Sequence, residues 1–262
     1  MLFVTVPRSV LRILSLGAFA LVLVWFVGYE TAKQPIYPVS AGLSAQRHDV
    51  VRDVFTDRKA VSLTFEITWG ENVPRQILDI LRREEVRAAF FVNGSWARSH
   101  PDFIMELHEG GHDLGSMGMR PIDWSNSSPV VLAEQISQSS SVLEEITGSK
   151  PIWLRPPSGQ LPQTGVDLSA FPGSRIVLWD IDAQDWAKPG MDYIIRRVQR
   201  QLHPGAIIRL QASDSAEQTA QSLTGLISTI RQEGYQIISI SQLVASEAQP
   251  QTEERPQSPE QQ

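Results

Sequence analysis

The sequence predicts an α/β protein built on a mainly parallel sheet. Short apolar runs of strand length recur along the middle of the chain, stretches with helical spacing separate them, and those stretches are long enough to return the chain for a parallel strand. Residues 60–65 (AVSLTF) form the first such strand, and Ile77, Leu78 and Leu81 give 73–81 an apolar helical face. Residues 88–92 (AAFFV) read as a second buried strand. Helices are predicted over 101–109 and 129–146, the second with Leu132, Ile136, Leu143 and Ile146 on one face. Strand-like runs follow at 152–154, 175–179, 206–210 and 236–240, with helical stretches at 191–202 and 216–234. This pattern fits an open doubly wound sheet and a barrel equally well.

The flanks differ from this middle. Arg8 and Arg12 precede an uncharged run over 13–29, rich in Leu, Val, Ala and Phe, which meets the lower limit of about 17 residues for crossing a bilayer. The basic flank lies first, which orients the N-terminus to the cytoplasm. A single-pass transmembrane signal-anchor within 1–29 is therefore expected, with the membrane as a partner and the rest of the chain extracytoplasmic. A cleaved signal peptide is the competing reading, although the nearest small-x-small site, Val39-Ser40-Ala41, lies well past the apolar run. Residues 30–56 read as a polar stalk, 57–244 as one domain, and 245–262 as a disordered acidic tail rich in Gln and Pro.

Composition narrows the function classes. The net charge of -6 argues against nucleic-acid binding, which would need a basic face. The absence of cysteine rules out disulfides and thiolate metal sites.

In a parallel α/β fold, functional side chains gather past the carboxyl ends of the strands. Glu66, Arg155, Asp182 and Gln211 each fall at such a place, which groups the segments around them into one pocket. The segments are Thr64-Phe65-Glu66-Ile67-Thr68-Trp69-Gly70, Arg155-Pro156-Pro157-Ser158-Gly159, Trp179-Asp180-Ile181-Asp182-Ala183-Gln184-Asp185-Trp186 and Arg209-Leu210-Gln211-Ala212-Ser213-Asp214-Ser215. With Gly111-His112-Asp113-Leu114-Gly115 they resemble, in order and spacing, the motifs of the polysaccharide deacetylase (NodB homology, carbohydrate esterase family 4) family. The look is nearest to its sporulation-associated, membrane-anchored members. The resemblance runs over most of 57–244 and implies a distorted, incomplete (β/α) barrel.

It also implies a reaction, hydrolysis of the N-acetyl group of N-acetylglucosamine or muramic acid glycans. In the family a divalent metal such as zinc, held by two histidines and often an aspartate, activates water, an aspartate is the base and a late histidine is the acid. Transferred onto this sequence, Glu66 stands at the base position. Arg155 would pair with carboxylates and line the groove, while Asp182 and Asp185 belong to the motif that orients the catalytic groups. The metal positions read Ile67, Met117 and Pro121, so no metal cofactor is expected. Thioethers are poor zinc ligands, and a proline side chain ligates nothing. Gln211 replaces the acid histidine, and an amide does not titrate. Arg209 replaces the leucine that would hold the acetyl methyl, and is expected to neutralise the carboxylates together with Arg155.

Trp69, Trp124 and Trp186 offer faces for sugar rings of a peptidoglycan or chitin-like glycan. His48, His100, His108, His112 and His203 read as structural, since no H-x-x-x-H or H-E-x-x-H spacing occurs. The sequence thus points to a pseudoenzyme of the cell envelope. The alternatives are an active deacetylase with a changed site and a protein-interaction module.

Overall fold

The computed structural model describes residues 50–247. Nine short strands form one curled parallel sheet: β1 (Val50–Val51), β2 (Ala60–Ile67), β3 (Ala89–Val92), β4 (Asp113–Ser116), β5 (Trp153–Leu154), β6 (Arg175–Val177), β7 (Ile181–Asp182), β8 (Ile207–Gln211) and β9 (Gln236–Ile237). Their order is β1-β6-β5-β4-β3-β2-β8-β7, with β9 pairing the start of β2. Among the described residues the two edges are not joined by a ladder, and a lone antiparallel bridge pairs Asp53 with Ala206. The result is an incomplete half-barrel.

Helices α1 (Asn72–Arg83), α2 (Gly94–Ser99), α3 (Pro101–Glu109), α4 (Pro129–Thr147), α5 (Met191–Gln199), α6 (Glu217–Gln232) and α7 (Ile240–Ala245) complete the described fold. Local chemistry sets their ends. Asn93 and Ser128 accept backbone N–H groups at the starts of α2 and α4, Pro101 and Pro129 occupy first-turn positions, and Gly148 closes α4 in the left-handed region.

The strand β2 explains how the site is built. All eight of its residues are buried, because the sheet is covered on both faces. Val61, Leu63, Phe65 and Ile67 join the core cluster that includes Ile77, Leu81, Leu223 and Ile227 of the helices. Ser62, Thr64 and Glu66 alternate with them and therefore project into the barrel. A second cluster fills that interior with Phe91, Met117, Trp153, Val177 and Ile207. Ile240 and Leu243 of α7 belong to the same cluster, so α7 acts as its floor. Ser241 fixes α7 in place by donating to Asp113 from its N–H at 2.8 Å and its hydroxyl at 2.6 Å.

The expected transmembrane helix is corrected. Among the described residues no helix is long and apolar enough to cross a membrane. The longest, α4 with 19 residues, carries Glu134, Gln135, Gln138, Glu144 and Glu145 and packs one face on the core. The run 13–29 lies outside the described residues, so the membrane partner and the membrane-anchored, extracytoplasmic location find no support in this fold. His48 and residues 248–262 likewise lie outside them.

Smaller differences concern boundaries. The run 236–240 splits into β9 and α7, because Ser239 forms a capping box with Gln242. Residues 113–116, not singled out from pattern, form β4, where a side chain on Gly115 would meet the Phe91 ring at 2.4 Å. Val50–Val51, within the stretch read as stalk, pairs with β6. Between Leu154 and Arg175 there is neither helix nor strand.

Candidate functional site

The parallel register places four charged or polar side chains at the carboxyl ends of three adjacent strands. Arg209 stands opposite Thr64 on one side and Asp182 on the other, and Gln211 stands opposite Glu66. Residues 209 and 211 share a face, while Leu210 between them is buried in the helix-side core.

Arg209 leans along its strand onto Glu66. Its Nε donates to Glu66 Oε1 at 3.0 Å and its Nη2 to Oε2 at 2.9 Å, a two-pronged fork. The remaining nitrogen, Nη1, donates to Asp182 Oδ2 at 3.2 Å. Gln211 Nε2 donates to Glu66 Oε2 at 3.1 Å. Both oxygens of Glu66 are therefore engaged, and the residue is only 2% exposed. Burial works against the Arg209 guanidinium, but its bond to Glu66 and the charges of Glu66, Asp182 and Asp185 outweigh that cost and raise its pKa.

Arg155 lies beneath this pair, fully buried. Its Nε and Nη2 donate to the carbonyls of Val177 and Leu178, both at 3.0 Å, and its Nη1 to Thr64 Oγ1 at 2.9 Å. The guanidinium carbon sits 3.8 Å from the centre of the Phe91 ring, and Glu66 Oε1 is 3.5 Å from Nη1. Burial pulls its pKa down to about 9, with Glu66 opposing, and it stays protonated at neutral pH. Trp179 connects the two arginines, with its ring centre 4.4 Å from the Arg209 guanidinium and 5.3 Å from that of Arg155.

Asp185 serves a neighbouring network. Its Oδ2 accepts from the Gln211 N–H at 2.7 Å and from Thr219 Oγ1 at 2.5 Å, which ties β8 to α6. Burial pushes its carboxyl pKa up against these two donors and Arg209. Two motif glycines explain how the segments close on one another. At Gly159, with φ +71°, an added Cβ would lie 2.6 Å from the Trp179 ring; at Gly70, with φ +75°, it would lie 2.2 Å from the Asp214 carboxyl carbon. Asp214 in turn accepts the Val73 N–H at 2.8 Å and steadies the start of α1.

The second half of the pocket is apolar. Met117 is 1% exposed and packs with Phe91 and Trp153. Ile67 is buried in the helix-side core, on the opposite face of β2 from Glu66. Pro121 is exposed. Family members bind a divalent metal, but this donor set does not fit one, since Glu66 and Asp182 are held by Arg209 and Asp185 by the Gln211 N–H and Thr219. Among the described residues no group of three or more His, Cys, Asp or Glu could hold a metal ion.

Trp69 and Trp186 stand exposed at 53% and 59%, whereas Trp124 is fully buried and offers no ring face to a ligand. His112 is buried, accepts the Ala88 N–H at Nδ1 and packs edge-on against Phe90. Burial, with Arg82 and Arg87, lowers its pKa to about 4, so it is neutral. His100 stacks on Trp96, and His203 bonds to Asp180. Thr219 was not singled out by sequence. Trp179 opens the 179–186 segment, whereas Thr219 has no local signal.

The curled, incomplete parallel half-barrel, with acid, arginine and tryptophan side chains at its strand ends, is consistent with a distorted NodB-type fold. The polysaccharide deacetylase family matches residues 53–176. The chain is 30% identical over 188 residues to the uncharacterized protein YlxY of Bacillus subtilis (strain 168), covering 72% of this chain and 58% of that protein. It is 27% identical over 198 residues to a peptidoglycan-N-acetylglucosamine deacetylase of Bacillus cereus, covering 74% of this chain and 92% of that one.

Among solved structures, wild-type BA3943, a CE4 family pseudoenzyme from Bacillus anthracis, superposes with a TM-score of 0.70 at 26% identity, covering 76% of this chain and 70% of that one. A BA3943 mutant with restored enzymatic activity superposes at 0.71, again at 26% identity, covering 76% of this chain and 72% of that one. The chain carries a NodB-type polysaccharide deacetylase domain, related both to peptidoglycan deacetylases and to pseudoenzymes.

Proposed function

We propose that this domain is a non-hydrolysing member of the glycan deacetylase family that retains a groove for N-acetylated glycans of the peptidoglycan or chitin type. The observation that carries this reading is the state of Glu66. A base must offer a free oxygen to water, yet both Glu66 oxygens accept bonds from Arg209, and Oε2 accepts a further one from Gln211. The leaving amine would also need a proton donor, and Gln211 has none to give at any ordinary pH. Deacetylation requires both groups, and losing even one costs orders of magnitude.

Exposed Trp69 and Trp186, at the ends of β2 and β7, are the surfaces on which sugar rings would stack. The test has two parts. Acetate release from N-acetylated chitooligosaccharides and peptidoglycan is expected to stay at background with zinc supplied, and turnover would refute the reading. Titration with the same fragments is expected to give a saturable change in tryptophan fluorescence; no response to any fragment would remove the groove from the proposal.

A further inference from the structure

We infer that Arg209 is the resident cation of this pocket: its guanidinium takes the place between Glu66 and Asp182, against the face of Trp179, that a soluble cation would otherwise occupy. The inference rests on the reading of the domain as non-hydrolysing and adds which residue holds the site closed. Three observations support it. All three guanidinium nitrogens are used, two on Glu66 and one on Asp182. The ring of Trp179 backs the flat face, with its centre 4.4 Å from the guanidinium carbon. That ring is itself positioned by Gly159, whose added Cβ would strike it.

The shape of this receptor selects its ion. A fork on one carboxylate, a third bond to another and an aromatic face match a planar guanidinium. A spherical divalent ion would gain nothing from the ring and would have to displace Arg209 from both acids. Charge points the same way. Removing Arg209 would leave the buried Glu66 with Arg155 as its ion-pair partner and take from Asp182 the guanidinium it pairs with. Arg155 cannot swing across to help, because Val177, Leu178 and Thr64 hold its nitrogens.

The experiment is chemical rescue, read by thermal unfolding of the full chain. Arg209→Ala is expected to lower Tm clearly. Low-millimolar guanidinium should recover part of the loss, while sodium or ammonium at equal ionic strength should not. Wild-type protein, its pocket already filled, should show no gain. An Arg209→Ala variant as stable as wild type, or a folded one that guanidinium does not rescue, overturns the inference.

If Arg209→Ala does not fold, combining it with Glu66→Gln decides the matter. Removing the acid with its cation is expected to restore a folded domain, and failure to do so overturns the proposal. Zinc titration of wild type separates the two readings. One equivalent bound without turnover sinks the resident cation alone. Acetate release with no metal bound sinks only the non-hydrolysing reading.

Discussion

At the end of β4 the pocket wall is Met117 packed on Phe91 and Trp153, while at the ends of β2, β7 and β8 it is Glu66, Asp182, Arg209 and Gln211 bonded to one another. The first region is closed by dispersion and burial, the second by charge satisfied inside the protein. The difference shows two physical ways in which such a pocket can be filled from within. Apolar filling needs only volume. A cluster of acids instead needs a counter-ion with geometry, because an uncompensated buried charge is far more costly than a void.

The largest way to break this contrast is Arg155→Ala. Glu66 would lose one of its two counter-ions, and Thr64 and two carbonyls would lose their donor, so a loss of about 3–5 kcal/mol is expected in chemical denaturation. A change below about 1 kcal/mol would mean that Arg209 alone neutralises the cluster.

The next effect lies at the amino-terminal end of β4, on the helix-side core away from that wall. His112 titrates near 4 in the fold and near 6.5 when unfolded. Below pH 6.5 the unfolded chain binds a proton that the folded one refuses. Stability is therefore full above pH 6.5 and falls as the pH drops to about 4, by up to about 3 kcal/mol. Comparing the pH dependence of wild type with that of His112→Asn isolates this contribution from Asp180, Asp185 and His203. Parallel curves would rule it out.

Met117→His sharpens the comparison further. It places a polar ring among Phe91, Trp153 and Val177, and a loss of about 2 kcal/mol is expected because the ring would be left without partners there. No loss would mean that this wall can accept a ligand after all. The smallest effect belongs to the rim. Trp69→Ala and Trp186→Ala should leave stability within about 0.5 kcal/mol while weakening glycan-induced fluorescence changes. A large stability change would recast these rings as structural.

How much of this was legible in the sequence follows from the range of each interaction. Period-two alternation in 60–67 and 206–211 already separates Glu66 and Arg209 from Phe65 and Leu210, since facing is a local property of strands. The helix at 101–109 was legible to the residue, because Pro101 starts it and Gly110 ends it. Strand β4 was not, since its Gly and Asp residues are poor strand formers and only Phe91 explains Gly115. Arg209 could be expected to meet the acids, but not which atoms would meet, because the fork depends on the register of β8 against β2. Thr219 stayed hidden for the same reason, its partner Asp185 being distant in sequence. Trp124 was misjudged as a ring face because exposure is set by packing on α4 and the 161–171 loop.

The central strand has a consequence for how the chain reaches this structure. Thr64 of β2 donates its hydroxyl to the carbonyl of Ile208, 144 residues further along, and β9 must still join the start of the same strand. A strand whose neighbours come from both ends of the domain cannot be completed locally. Loop closure over that span precedes any reward from the ladder, which makes folding slow relative to domains dominated by nearby contacts. On a ribosome, β2 and β3 would emerge long before β8, with Glu66 waiting for the arginine that forks onto it.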